Sequence, residues 1–219
     1  MIKTAIFDLD GTLADTIKDL GKAMNRMLAH FGCPERSPEE IKAAICYGQR
    51  EFVRRSLPRE LRENDVLIEE CRKHYAACYD QCYNDSTFAY DGLTEALKTL
   101  KSRGIRIAVA TNKAHSHALE VMSKCYPDVE FDFIRGNTED IPAKPDPTIA
   151  LLAAKETGAA PGECVFVGDS DVDILTGKNA GMRTIGVAWG YRDQALLISV
   201  GADTIAHNAS ELLSLILSL

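Results

Sequence analysis

Two aspartates two residues apart, Asp8 and Asp10, close a short apolar run and stand just before Gly11. Alternate side chains of an extended segment project to the same side, so both carboxylates can face one pocket while Leu9 is directed away. Gly11 permits a turn that a side chain would obstruct. Two like charges this close repel unless a cation or a shared proton offsets them. Carboxylates so placed at the carboxyl end of a strand are a candidate site for magnesium and for chemistry. The plainer reading is an Asx turn with both acids solvated; Thr12-Leu13 and the motifs further along the chain outweigh it.

The ends of the later predicted strands add Thr111-Asn112, then Gly168-Asp169-Ser170-Asp171-Val172-Asp173, with Lys144-Pro145 opening the helix before the last cluster. Several acids, a hydroxyl and amide pair, and one lysine are what phosphoryl transfer to a carboxylate nucleophile requires. An anionic nucleophile reaches an anionic phosphate only if Mg2+ and a cation neutralise charge. Each residue also has a structural reading. Lys144 can be a solvated loop residue, Asp171 and Asp173 first-turn helix acids favoured by the dipole, and Ser170 an N-cap. His115 and His117 have no partner spacing for a triad or zinc site and read as surface helix residues.

The elements that position these residues alternate. Ile2–Phe7 predicts a buried strand. From Asp15 to Asn84 the pattern is helical throughout, with no strand. Ile17, Leu20, Met24, Met27, Leu28 and Phe31 recur at three- and four-residue steps before Gly32. Ser37-Pro38-Glu39-Glu40 spells a capping box. Gly48-Gln49-Arg50 interrupts the pattern, and a long segment around Val66–Tyr83 completes the block. Strands at Ile105–Ala110, Phe131–Ile134, Cys164–Val167, Thr184–Val187 and about Thr204-Ile205 then alternate with helices at 92–100, 114–124, 147–157, 172–180 and from Ser210. The class is α/β, a Rossmann-like parallel sheet core interrupted by an inserted all-helical cap. Residues 1–14 and 87–219 form the core and 15–86 the cap.

Hydrophobic residues make up 46% and charged residues 26% of the 219, an ordinary globular balance, and the net charge of −7 speaks against nonspecific nucleic-acid binding. The seven cysteines are odd in number and lack paired C-x-x-C spacing. No signal-like or membrane-length apolar run is present, so a cytoplasmic protein with free thiols is expected. Cys71, Cys78 and Cys82, at helical spacings, read as thiols on a core-facing stripe rather than a metal or redox cluster.

Asp8-Leu9-Asp10-Gly11-Thr12, Thr111-Asn112, Lys144-Pro145 and Gly168-Asp169-Ser170-x-x-Asp173 together resemble the four motifs of the haloacid dehalogenase-like hydrolases. The helical block is similar to the cap of the phosphoglycolate-phosphatase-like branch, as are Asp15-Thr16, Phe52–Arg55 and Trp189-Gly190-Tyr191. Asp91 departs from the proline that members commonly carry before the glycine opening the next helix. The resemblance implies that Asp8 attacks phosphorus to form an aspartyl-phosphate, with Asp10 as acid and then base. It implies that Thr111 and the Asn112 backbone hold phosphate oxygens and that Lys144 neutralises charge and orients Asp8. It further implies that Asp8, the Asp10 carbonyl and Asp169 bind Mg2+, with Asp173 as support or ligand.

For the substrate end, Gly48, Gln49 and Arg50 are expected to form the contacting cap loop. They lie beside an arginine-rich run (Arg50, Arg54, Arg55, Arg59, Arg62) in which Arg50 or Arg54 would receive a carboxylate. The run can equally be a solvated helix face. The expected activity is hydrolysis of a small phosphorylated metabolite, 2-phosphoglycolate first, by a monomer or homodimer without nucleic-acid or membrane partners. Pyrophosphate, nucleotides and sugar phosphates remain as substrates. Haloacid dehalogenation, which Asp10 speaks against, sugar-phosphate mutation and a non-catalytic binding protein remain as other activities.

Overall fold

The computed structural model describes residues 1–138 and 140–219. The chain enters through β1 (Thr4–Phe7), and a two-residue strand β2 (Ala14–Asp15) comes after the Asp8–Leu13 loop. Helices α1 (Ile17–His30), α2 (Pro38–Ala44), α3 (Gln49–Ser56) and α4 (Asp65–Asp80) come next, and β3 (Phe88–Ala89) leads back to the sheet. The remainder is α5 (Leu93–Ser102), β4 (Arg106–Ala114), α6 (His115–Cys125), β5 (Phe133–Asn137), α7 (Thr148–Glu156), β6 (Cys164–Gly168), α8 (Asp171–Asn179), β7 (Arg183–Val187), α9 (Gln194–Ser199), β8 (Thr204–Ala206) and α10 (Ala209–Ser218).

The six-stranded sheet has the order β5-β4-β1-β6-β7-β8, and every pair in it is parallel. Its strands are apolar on both faces because both are covered. Ala5 and Phe7 of β1, Ile107 and Val109 of β4 and Val165 and Val167 of β6 pack into one cluster with α5, α6 and α10. The intervening Ile6, Ala108, Ala110, Cys164 and Phe166 pack into another with α7. From central β1 the chain goes outward through β4 and β5, then returns to β6 and runs out the other way. That reversal leaves a crevice beyond the carboxyl ends of β1, β4 and β6, the place where such sheets bind ligands.

Helices α1–α4 bury a hydrophobic cluster of their own, with Met24, Met27 and Leu28 of α1 against Phe52, Ile68 and Tyr75. The capping box forms as the sequence predicts: Ser37 Oγ accepts the Glu40 N–H at 3.3 Å and Glu40 Oε2 accepts the Ser37 N–H at 2.9 Å. Cys71, Cys78 and Cys82 lie buried in this cluster as free thiols. Burial raises the pKa of each.

Two expectations need correction. Asp15 belongs to a strand, because the two chain crossings between sheet and helices pair antiparallel as β2 and β3. β4 does not stop at Ala110; it continues through Thr111, Asn112 and Lys113, with a register shift between Ala110 and Ala114 that lets Ala114 pair with Asn137. No helix among the described residues is long and apolar enough to cross a membrane.

Candidate active site

Asp8 comes directly after β1 and is 6% exposed. Beyond it the Leu9 carbonyl accepts the N–H groups of Thr12, Leu13 and Ala14, a tight turn that needs Gly11 at φ +84°. A side chain at Gly11 would collide with the Asp169 carboxylate, so the turn packs directly on the end of β6. Thr12 Oγ1 donates to Asp169 Oδ1 at 3.0 Å, and the Tyr191 N–H donates to Asp169 Oδ2 at 2.8 Å. Asp10 is held by two donors on one oxygen, Thr16 Oγ1 at 2.7 Å and Lys113 Nζ at 2.9 Å. Asp8 and Asp10 both line one cavity of about 70 Å³ between the sheet and the helical block, as their spacing predicts.

Lys144 brings the charges together. Its Nζ lies 2.8 Å from Asp8 Oδ1 and 2.6 Å from Asp173 Oδ1, with only 1% of the side chain exposed. Burial works against the ammonium, but Asp173 and Asp8 overcome it and hold Lys144 above the usual lysine range. Burial and then Asp173 push the Asp8 carboxyl up to about 6, with Lys144 pulling the other way. Asp169 is pushed well up by burial, then by Asp173 and Asp8.

Asp8, Asp169 and Asp173 each offer an oxygen, and these lie within 4.8 Å of one another. Two of these three buried carboxylates, Asp8 and Asp173, share the Lys144 ammonium, and no hydrogen bond covers Asp8 Oδ1 beside that ion pair. An acidic oxygen set short of positive charge fits a hard divalent cation. Within it Asp173 is the most committed: Oδ1 goes to Lys144, while Oδ2 accepts the Ser170 N–H and hydroxyl at 3.0 and 2.6 Å, capping α8.

Of the other sequence candidates, Thr111 is buried in β4 and lines the cavity together with Asn112, Gly48 and Gln49. The Asn112 side chain ties three segments: Nδ2 donates to the Cys46 and Lys144 carbonyls at 2.9 and 3.1 Å, and Oδ1 accepts the Lys144 N–H at 2.8 Å. Arg50 does not reach the cavity. One step along α3 from Gln49 turns it about 100° around the helix, and its guanidinium pairs instead with Asp65 at 2.5 Å, half exposed. Arg54 is turned away as well; it and Arg55 both bind Glu51 at 2.7 Å. The arginine run is thus largely a paired helix face.

The structure adds residues that the sequence left out of the site. Lys113 is one, and the continuation of β4 explains it: two residues beyond Thr111 in extended chain, it also lines the cavity. His117 is not simply a surface residue; its Nε2 sits 2.8 Å from Asp80 Oδ1, its ring meets Tyr79 edge-on at 5.0 Å, and it lines the cavity. Cys46, with a left-handed backbone at φ 93°, and Gly48 at φ 85° shape the loop of the helical block that closes over Asp8. Strain of this kind gathers where a loop must present itself to a ligand.

A family model for haloacid dehalogenase-like hydrolases matches residues 5–187. Phosphoglycolate phosphatase 1 of Pseudomonas aeruginosa is 34% identical over 214 residues, covering 96% of this chain and 78% of its own. The phosphoglycolate phosphatase of Chromobacterium violaceum is 32% identical over 217 residues, covering 98% and 96%. A crystal structure of a candidate phosphoglycolate phosphatase from Lactobacillus delbrueckii subsp. bulgaricus superposes with a TM-score of 0.91 at 28% identity, covering 98% of each chain.

Proposed function

We propose that this chain, which belongs to the haloacid dehalogenase-like hydrolases, is a Mg2+-dependent phosphomonoester hydrolase acting through an aspartyl-phosphate, with 2-phosphoglycolate as substrate. The observation that carries the reading is the buried Asp8 carboxylate, 2.8 Å from Lys144 and grouped with Asp169, opening on a cavity that Asp10 and Thr111 share.

An Asp8 oxygen attacks phosphorus as the bond from phosphorus to the leaving oxygen breaks, and Asp10 gives that oxygen its proton. Asp10 then takes a proton from the water that attacks the aspartyl-phosphate, which frees phosphate and restores the Asp8 carboxylate. Lys144 offsets the charge of nucleophile and phosphoryl group, and the Thr111 hydroxyl and Asn112 backbone hold phosphoryl oxygens. Thr16 and Lys113 keep the Asp10 carboxyl aimed. Asp8, the Asp10 carbonyl and Asp169 would hold Mg2+, with Asp173 behind them. A divalent cation held by these oxygens would supply positive charge against the phosphoryl group. Residues 15–86 act as a cap that excludes water from the core of 1–14 and 87–219. Seven unpaired cysteines suit a reducing cytoplasm.

The Pseudomonas and Chromobacterium relatives are named for phosphoglycolate, which supports 2-phosphoglycolate as the substrate. Phosphate release from a panel of esters tests this. With Mg2+ present, 2-phosphoglycolate should give the highest kcat/KM, and a chelator should abolish turnover. A nucleotide or sugar phosphate at the head of the panel would overturn the substrate, and full activity in chelator would overturn the metal.

A further inference from the structure

The phosphoryl chemistry uses Asp8, Asp10, Thr111 and Lys144, and a second buried lysine, Lys113, lines the cavity itself. Lys113 is 7% exposed, and its Nζ lies 2.9 Å from Asp10 Oδ1 and 2.6 Å from the Tyr79 hydroxyl, 4.8 Å from the centre of that ring. Among the described residues no other lysine or arginine lines the cavity. We infer that Lys113 receives the carboxylate of the substrate and so sets a preference for acidic phosphate esters. The inference rests on the phosphomonoesterase reading and deepens it.

The first reason is the size of the substrate. In 2-phosphoglycolate a single methylene separates the ester oxygen from the carboxylate. The group that protonates the ester oxygen and the group that receives the carboxylate must therefore be neighbours. Asp10 is the first, and Lys113 is the cation that touches it. Arg50 and Arg54 lie outside the cavity and are already paired with Asp65 and Glu51.

The second reason is pre-organisation. An ammonium has three N–H donors, and Asp10 and Tyr79 engage two. Tyr79 comes from α4 of the helical block and Lys113 from the sheet, so the block fixes the direction of the lysine head when it packs down.

The third reason is electrostatic. A substrate carboxylate entering beside Asp8 and Asp10 is repelled by both, and the lining around them is largely apolar, with Leu20, Phe52 and Tyr75 beside the uncharged Gln49 and the imidazole of His117. In such poorly solvated surroundings one ammonium favours a carboxylate over an uncharged group strongly.

The test compares kcat/KM for 2-phosphoglycolate and for ethyl phosphate, which carries a methyl group where the former has its carboxylate. Because Lys113 also touches Asp10, Lys113→Gln should lower kcat on both esters; the ratio between esters is the readout. We expect that ratio to fall about 10- to 100-fold, through a higher KM for 2-phosphoglycolate, and Lys113→Arg to restore part of it. Tyr79→Phe, which keeps the Asp10 pair, should lower the ratio several-fold and supplies the answer if Lys113→Gln does not fold. A wild-type preference that survives unchanged in the soluble variants overturns this inference alone. A wild-type protein that hydrolyses both esters alike overturns the substrate reading and this inference with it.

Discussion

At Asp8 and Asp169 burial works against ionisation, and so do their neighbours. Burial and Asp173 push Asp8 up to about 6, and burial, Asp173 and Asp8 push Asp169 up as well. A carboxyl whose folded pKa is raised stabilises the fold fully below its unfolded value, and that contribution is lost as pH rises through about 6. Above that pH the metal-free protein holds ionised acids against one another, and a cation that binds only the folded state offsets the cost. At 100 times its Kd, Mg2+ should raise Tm at pH 8 by about 5–10 °C. At pH 5, where protons compete for the same oxygens, the rise should be less than half as large. Calorimetry at the two pH values checks this; equal shifts would mean the acids are not the cation site. The same residues were legible in the sequence, since Asp8, Asp10, Lys144 and Asp169 stand at motif positions that need no tertiary knowledge. Arg50 was misplaced because proximity to Gly48 in sequence does not fix which way a helical side chain turns.

The loops at the strand ends hold these side chains in place. The β7–α9 loop does so most closely: Trp189 Nε1 donates to the Thr12 carbonyl at 3.1 Å, and the Tyr191 N–H to Asp169 at 2.8 Å. Gly190 between them leaves no room for a Cβ, which would meet Asp169. Gly190→Ala should therefore cost about 1–3 kcal/mol by overpacking and lower kcat/KM at least about tenfold by displacing Asp169. Gly162→Ala, with nothing within 4 Å of its Cβ, serves as the control and should stay within about 0.5 kcal/mol of the parent. Thermal melts and phosphate release on both variants decide it, and a silent Gly190→Ala would remove this loop from the site. Elements of this kind are the ones the sequence hides. β2 and β3 are two residues each and exist only because they pair, and α9 is a short apolar run with no period of its own. The end of β4 depends on β5 beside it, which is why Lys113 went unmarked.

Across the whole molecule, the alternation of strands and helices, and with it a parallel sheet, was readable because strands buried on both faces are continuous apolar runs separated by periodic helices; the spatial order of the strands was not. The relation between helical block and sheet was not, because it depends on side chains meeting over long separations. Arg192 donates to the Lys42 and Ile45 carbonyls at the end of α2, and the Tyr47 hydroxyl to Asp171 at 2.9 Å. With Asn112 on Cys46 and Lys113 on Tyr79, these contacts close the block over Asp8. A helical block packed over the nucleophile, limiting water around it, is what transfer to a carboxylate requires of the molecule as a whole.

Trapping the phosphoryl group tests the role of Asp8 most directly. Protein turning over 2-phosphoglycolate with Mg2+, quenched in acid and mapped by mass spectrometry, should carry one hydroxylamine-labile phosphoryl group on the peptide containing Asp8. Asp8→Asn should show none and release phosphate about 10⁴-fold more slowly or worse. A phosphoryl group on another residue, or an Asp8→Asn protein that turns over as fast as the parent, would contradict Asp8 as the nucleophile.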